Sequence, residues 1–222
     1  MGTISGRQSP VIPLALWLAV QGLMLLLAAL KIPFSNNFPN PAERMALDEM
    51  LVVQIAAAAI LAPMLMRDAT TAALAAIASW PFTMLAGLLA AEIDPWKIVC
   101  PAAVVSLWIA ALALWIWILR TQRMRQALAA LATSLALGGP LGWYLNAEFG
   151  GGNGVLDWST HGRWGPIMAA LGFCDGDPHN RASWEFLAGL VSITLATFFA
   201  CRVYRKRPVR GRSEDAGFPG KT

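Results

Sequence analysis

The chain has 222 residues, of which 57% are hydrophobic and 14% are charged, and its formal net charge is +4. Its mean hydropathy is +0.54. Soluble domains are about 45–50% apolar and about 25% charged. The composition therefore argues against a soluble enzyme, a disordered chain, a disulfide scaffold and a nucleic-acid-binding module, and it indicates an integral membrane protein.

Six apolar stretches follow one another along the chain, at residues 11–30, 46–66, 71–91, 98–119, 127–145 and 186–204. Each is long enough to cross the hydrocarbon core of a bilayer as a helix, and a helix forms the hydrogen bonds of its backbone groups internally. The first run is longer than the apolar region of a signal peptide, about 7–15 residues, so we interpret it as a retained span. We expect an all-α polytopic membrane protein, with a six-helix bundle over residues 1–206 and a flexible basic cytoplasmic tail at 207–222.

Proline marks both starts and interruptions of these helices. Asn40-Pro41, Asp94-Pro95 and Asp177-Pro178 each place a capping side chain before a proline, which predicts the starts of the second, fourth and sixth spans. Trp80-Pro81 predicts a kink in the third span, and Gly138-Gly139-Pro140 predicts an interruption of the fifth.

Small residues recur at helical spacing in two of the spans, where they let helix backbones approach closely. We therefore expect tight helix packing at Ala72, Ala75, Ala76 and Ser79, and at Gly138 with Gly142.

The basic residues divide unequally between the two sides of the predicted bundle. Twelve of the 17 lysines and arginines fall on one side: Arg7, Arg67, Arg120, Arg123, Arg125, Arg202, Arg205, Lys206, Arg207, Arg210, Arg212 and Lys221. The other side receives five of them and most of the acidic residues. The positive-inside rule then predicts that both termini are cytoplasmic. Arginine in preference to lysine, with abundant alanine, favours a bacterial inner membrane.

The end of the last span carries a juxtamembrane basic cluster made of Arg202, Arg205, Lys206 and Arg207. In a membrane protein such a cluster is typical of contact with anionic lipid head groups, and we favour that function over binding of nucleic acid.

The predicted membrane interior contains polar residues but no ionisable ones. They are Gln21, Gln54, Ser106, Thr133, Ser134, Ser192, Thr194 and Thr197. We expect them to form hydrogen bonds between helices or back to their own helix. Ion-coupled pumps and voltage sensors need charges in this region, so the sequence disfavours them. Neither histidine lies in a span, so we expect no haem or chlorophyll, and no cofactor.

The connection between the fifth and sixth spans, residues 146–185, is the only long loop. It contains Asp157, Trp158, His161, Arg163 and Trp164. An apolar stretch at residues 166–173 is too short to span and predicts an interfacial or re-entrant helix. We expect the connections on the cytoplasmic side, residues 67–70 and 120–126, to be too short to form a pocket. By this elimination we place a ligand or partner site at the five loop residues, with a packed cap over the bundle as the alternative.

The loop offers limited support for chemistry. His161 with Asp157 one helical turn earlier could act as an acid–base pair, although no nucleophile motif accompanies it. The spacing of Cys174, Asp175, Asp177 and His179 matches no zinc or calcium pattern, so we predict no metal site. Cys100 and Cys174 both fall on the outer side, which makes them a candidate disulfide.

Three functions remain open at this stage. The first is a non-catalytic subunit or assembly component of a larger membrane complex, favoured by small-residue packing motifs and by Trp108 and Trp115 on one face of the fourth span. The second is a small-molecule permease or substrate-binding membrane component. The third is a membrane enzyme with its site near His161. The partners expected are the bilayer, anionic head groups and other membrane subunits.

Overall fold

A computed structural model describes residues 11–31, 41–90, 94–119, 121–149, 165–174 and 181–206. This described part consists of seven α-helices and has no strand. They are α1 (Val11–Lys31), α2 (Pro41–Leu65), α3 (Ala69–Leu89), α4 (Trp96–Ile118), α5 (Gln122–Phe149), α6 (Pro166–Cys174) and α7 (Arg181–Lys206).

Five of the described helices are long and apolar enough to cross a membrane: α1, α2, α3, α4 and α7. The protein is therefore a helical integral membrane protein with several candidate spans. The fifth predicted span coincides with α5, which has 28 residues. It is not among the five, because its glycines, its proline and its polar residues lower its mean hydropathy.

The predicted helix starts agree with the structure where it describes them. α2 begins at Pro41. At the start of α4, the carboxylate Oδ1 of Asp94 accepts a hydrogen bond from the backbone N–H of Trp96 at 3.0 Å. Asp94 thus satisfies one of the amide donors that a helix leaves unpaired in its first turn. Asp177 and Pro178 lie outside the described residues, and α7 begins at Arg181.

The core lies around α2 and α4. On α2 the buried residues recur every three or four positions, and they include Leu51, Ile55, Ala58 and Ala62, each 0% exposed. This spacing aligns them along one side of the helix. α2 contacts five other helices, α1, α3, α4, α5 and α6.

The close packing predicted for α3 is confirmed. Ala72, Ala75 and Ser79 are buried, and α3 contacts α1, α2 and α4. The corresponding prediction for Gly138 is wrong, because Gly138 is exposed and a Cβ atom there would meet nothing within 4 Å.

The predicted interruption of α5 is also wrong. The helix continues without a break from Gln122 to Phe149, with Pro140 inside it. Proline removes one backbone donor. A long helix packed along its neighbours tolerates that loss.

The first five helices, α1 to α5, alternate in direction. α1, α3 and α5 begin at one end of the bundle, where α2 ends, because Pro13, Pro63, Thr71 and Gln122 surround one cavity there. α4 also ends there, since Arg125, which lines the same cavity, donates to the backbone oxygen of Leu119. We call this the basic end. The start of α4 lies at the opposite end.

α6 runs only half the length of the bundle. Gly165, directly before it, lies against the middle of α5, since a Cβ on Gly165 would be 3.2 Å from the backbone oxygen of Leu135. At its other terminus, the Sγ of Cys174 donates to the backbone oxygen of Lys97, at the start of α4, over 3.8 Å. Nine helical residues cover about 13 Å. A helix is therefore present in the predicted region, buried against α4, α7, α2 and α5.

Candidate functional site

Three polar side chains and one backbone oxygen meet between α1, α2 and α3. We call these four residues the amide cluster: Gln21, Gln54 and Thr83 through their side chains, and Ser79 through its backbone oxygen. Each is 0% exposed. The Nε2 of Gln54 donates to the Oε1 of Gln21 at 2.8 Å and to the backbone oxygen of Ser79 at 3.1 Å. The Oγ1 of Thr83 donates to the Oε1 of Gln54 at 3.0 Å. Gln54 thus connects α2 to both neighbouring helices.

The amide cluster leaves one donor without a partner. The Nε2 of Gln21 is buried and forms no hydrogen bond within the described part of the chain. Rotating this amide by half a turn would bring its NH₂ against the donating NH₂ of Gln54, so the arrangement with the oxygen facing Gln54 is the better one. The cluster therefore joins three helices by hydrogen bonds, while one of its buried N–H groups has no acceptor.

The predicted behaviour of polar residues in the membrane interior is confirmed for most of them. Gln21 with Gln54, and Ser106 with the Nε1 of Trp80 at 2.9 Å, bond between helices. Three threonines bond back to their own helix, namely Thr133, Thr194 and Thr197. Ser134 and Ser192 are exposed.

Thr83 was not predicted as a partner of Gln54, although its hydroxyl was a visible polar group on a neighbouring apolar helix. Ser79 contributes only its backbone oxygen, for which its side chain gives no signal. A buried glutamine on α2 requires partners from such a neighbouring helix.

A cavity of about 290 Å³ lies at the basic end, between the termini of α1, α2, α3 and α5. Its walls are formed by Pro13, Pro63, Met64, Arg67, Asp68, Thr71, Gln122 and Arg125. The prediction that these short connections are unable to form a pocket is wrong. The pocket forms because helix ends, rather than long loops, supply its walls.

Two guanidinium groups and one carboxylate group line this cavity. Arg67 is exposed, and Arg125 is half-buried with its Nε donating to the backbone oxygen of Leu119 at 3.1 Å. Asp68 precedes α3 and its side chain forms no capping hydrogen bond. The first turns of α3 and α5, which carry partial positive charge, also face the cavity, as does the last turn of α2, which carries partial negative charge.

The five residues predicted as a ligand or partner site, Asp157, Trp158, His161, Arg163 and Trp164, lie outside the described residues. In the predicted lipid-contact cluster, Arg202 is exposed, and its Cζ lies 5.5 Å from the ring centroid of Phe198. The side chains of Arg205 and Lys206 and the whole of Arg207 are outside the described part.

Cys100 and Cys174 are both thiols, so the structure does not form the candidate disulfide. The Sγ of Cys174 is directed at the backbone oxygen of Lys97 instead.

The interpretation of Trp108 as part of a surface for a partner is wrong. Trp108 is 3% exposed and belongs to the core. Trp115 is half-buried against that core.

In the described residues, no three histidine, cysteine, aspartate or glutamate side chains lie together as metal ligands would. Comparison of the chain with protein-family models, with curated proteins and with solved structures finds no match.

Proposed function

We propose that the protein is a non-catalytic subunit or assembly component of a larger membrane complex. The observation that supports this is the outer face of α7. In its membrane-spanning window only 11% of the residues are buried, and its contacts are with α4 and α6.

The exposed face of α7 carries a row of small residues, Ala188, Ser192, Ala196 and Ala200, each four positions after the last. Lipid chains pack against large apolar side chains as well as against small ones, so contact with lipid does not require a row of small residues. Small side chains at this spacing instead let a second helix approach closely, and an exposed serine gains a hydrogen-bond partner there.

A second candidate function, a small-molecule permease or substrate-binding membrane component, is favoured by the cavity at the basic end. The third, an enzyme with its site near His161, stays a prediction because the residues concerned are not described.

We further propose six spans, with both termini on the cytoplasmic side of a bacterial inner membrane. Two observations support α5 as the additional span. Its 28 residues cover about 42 Å. It also packs along α2, beginning where α2 ends. The meeting of Arg67 and Arg125 at one end agrees with the positive-inside rule.

The complex is tested by purifying the tagged chain from its native membrane in a mild detergent and measuring the mass by native mass spectrometry. We expect a mass well above 23.8 kDa that includes other polypeptides in fixed ratio. Ser192→Phe should release those polypeptides, because a bulky ring on the row keeps the second helix away.

The matched control is Ile193→Phe, which adds an aromatic ring to another exposed position of α7, about 100° around the helix. It should leave the complex intact. A lone chain, or a mass equal to copies of this chain alone, would contradict the proposal and favour a permease or an enzyme.

A further inference from the structure

We propose that the cavity at the basic end binds a phosphate group, of the kind carried by a phospholipid headgroup or a soluble phosphate ester. The residues of this site are different from those of the basic cluster at the end of α7. It brings together Arg67, from the connection between α2 and α3, and Arg125, from the first turn of α5.

Two arginines around one cavity suit a tetrahedral oxyanion. A guanidinium presents several N–H donors in a planar fork, which matches two phosphate oxygens at once. Neither guanidinium forms an ion pair with any carboxylate that the structure describes. Their charge is therefore available to an anion entering the cavity.

The neighbouring polar groups extend the same recognition. Gln122 and Thr71 line the cavity and can donate hydrogen bonds. The carboxylate of Asp68 repels an anion, and it lowers the summed formal charge of Arg67, Arg125 and Asp68 to +1. Because its carboxylate makes no capping bond, its removal should strengthen anion binding without disturbing α3.

The size and the remaining walls fit a phosphate attached to an organic group. A water molecule occupies about 30 Å³ of liquid, so a cavity of about 290 Å³ holds much more than a bare ion. Pro13, Pro63 and Met64 form the apolar wall, and Met64 is 45% exposed on the flank of α2. Basic pockets between membrane helices characteristically hold phospholipid head groups.

The test measures binding of dioctanoyl phosphatidylglycerol, glycerol 3-phosphate and inorganic phosphate to the full chain purified in a non-ionic detergent. We expect saturable binding of dioctanoyl phosphatidylglycerol that weakens about tenfold in Arg67→Gln, since a charge-assisted hydrogen bond is lost. Asp68→Asn should bind more tightly than the wild type. Arg125→Gln should weaken binding as Arg67→Gln does.

Arg123→Gln is the matched control, because Arg123 is an exposed arginine on the same turn of α5 that does not line the cavity. It should bind as the wild type does. The two soluble probes distinguish the sources: tighter binding of glycerol 3-phosphate than of the lipid assigns the site to a soluble ester, and the reverse assigns it to a headgroup.

Absence of saturable binding of all three probes would overturn the proposal. Equal affinity of Arg67→Gln and the wild type would also overturn it. So would an equal loss of affinity in Arg123→Gln and Arg67→Gln, because the loss would then reflect the general charge of the surface and not the cavity. Arg67 is exposed and outside any helix, so its substitution tests the site without threatening the fold.

Discussion

Gln54 makes three of the hydrogen bonds that join α1, α2 and α3, and each one spans two helices. In a bilayer such bonds contribute only about 0.6 kcal/mol on average, since the separated helices also find partners. A buried polar group left without a partner costs more, about 1–3 kcal/mol. The importance of Gln54 therefore lies in the groups that would be stranded if it were removed.

This asymmetry gives a prediction at the scale of the residue. Gln54→Met should destabilise the protein by about 2 kcal/mol, because the Oε1 of Gln21 loses its donor inside the bundle. The double substitution Gln21→Met with Gln54→Met should cost less than Gln54→Met alone, because it strands neither amide. Unfolding of the purified protein by titration with sodium dodecyl sulfate measures both values. Additive losses from the two single substitutions would show that the two amides are independent.

The same residues show what sequence can and cannot predict at this scale. A polar side chain in an apolar run is visible in the sequence, and the principle that it must be bonded predicted the contacts of Gln21, Gln54 and Ser106. The sequence does not show which groups bond to Gln54. The rotation of α3 about its axis decides that the backbone oxygen of Ser79 and the hydroxyl of Thr83 face that side chain. That rotation is determined by packing.

At the scale of the element, α6 depends on the backbone of one residue. Gly165 has a φ of +150°, which L side chains rarely adopt. It lies so close to α5 that a Cβ would be 3.2 Å from the backbone oxygen of Leu135. The positive φ and the close approach to α5 both favour glycine at the point where the chain enters α6.

Gly165→Ala should therefore destabilise the fold by about 1–3 kcal/mol, through strain in the backbone and displacement of α5. Gly138→Ala is the control on α5, where a new Cβ meets nothing and alanine favours the helix by about 0.5–1 kcal/mol. Detergent unfolding should shift in opposite directions for the two variants. A Gly165→Ala protein as stable as the wild type would show that the chain enters α6 with a relaxed backbone.

The sequence predicted where helices begin and end better than it predicted kinks and breaks within them. Apolar length and the Asp94 cap predicted α1 to α4 closely, since both depend on local chemistry. The continuity of α5 through Pro140 depends on neighbouring helices, so local propensity predicted it wrongly. The cavity was missed for a related reason. Connection length says little about a space bounded by the ends of four helices.

At the scale of the whole molecule, the alternation of helix direction predicts on which side each connection lies. A green fluorescent protein fused after Thr222 should fluoresce and alkaline phosphatase there should be inactive, because both termini are expected in the cytoplasm. Fusions after Thr121 and after Phe149 should report opposite sides if α5 spans. Phosphatase activity after Thr222 would contradict the topology, and identical results at the two ends of α5 would exclude it as a span.

The burial of α6 also has a consequence for the order in which the protein is built. Nine residues are too few for a membrane-insertion machinery to recognise as a span, so α6 can enter only a space that α2, α4 and α5 already surround. About a hundred residues separate the end of α2 from the start of α6. A nascent chain that stops before Gly165 therefore leaves a gap beside the helices that were made first. The described bundle is complete only after α6 has left the ribosome, and we expect a chain that terminates before α6 to have a loosened core that cellular proteases can attack.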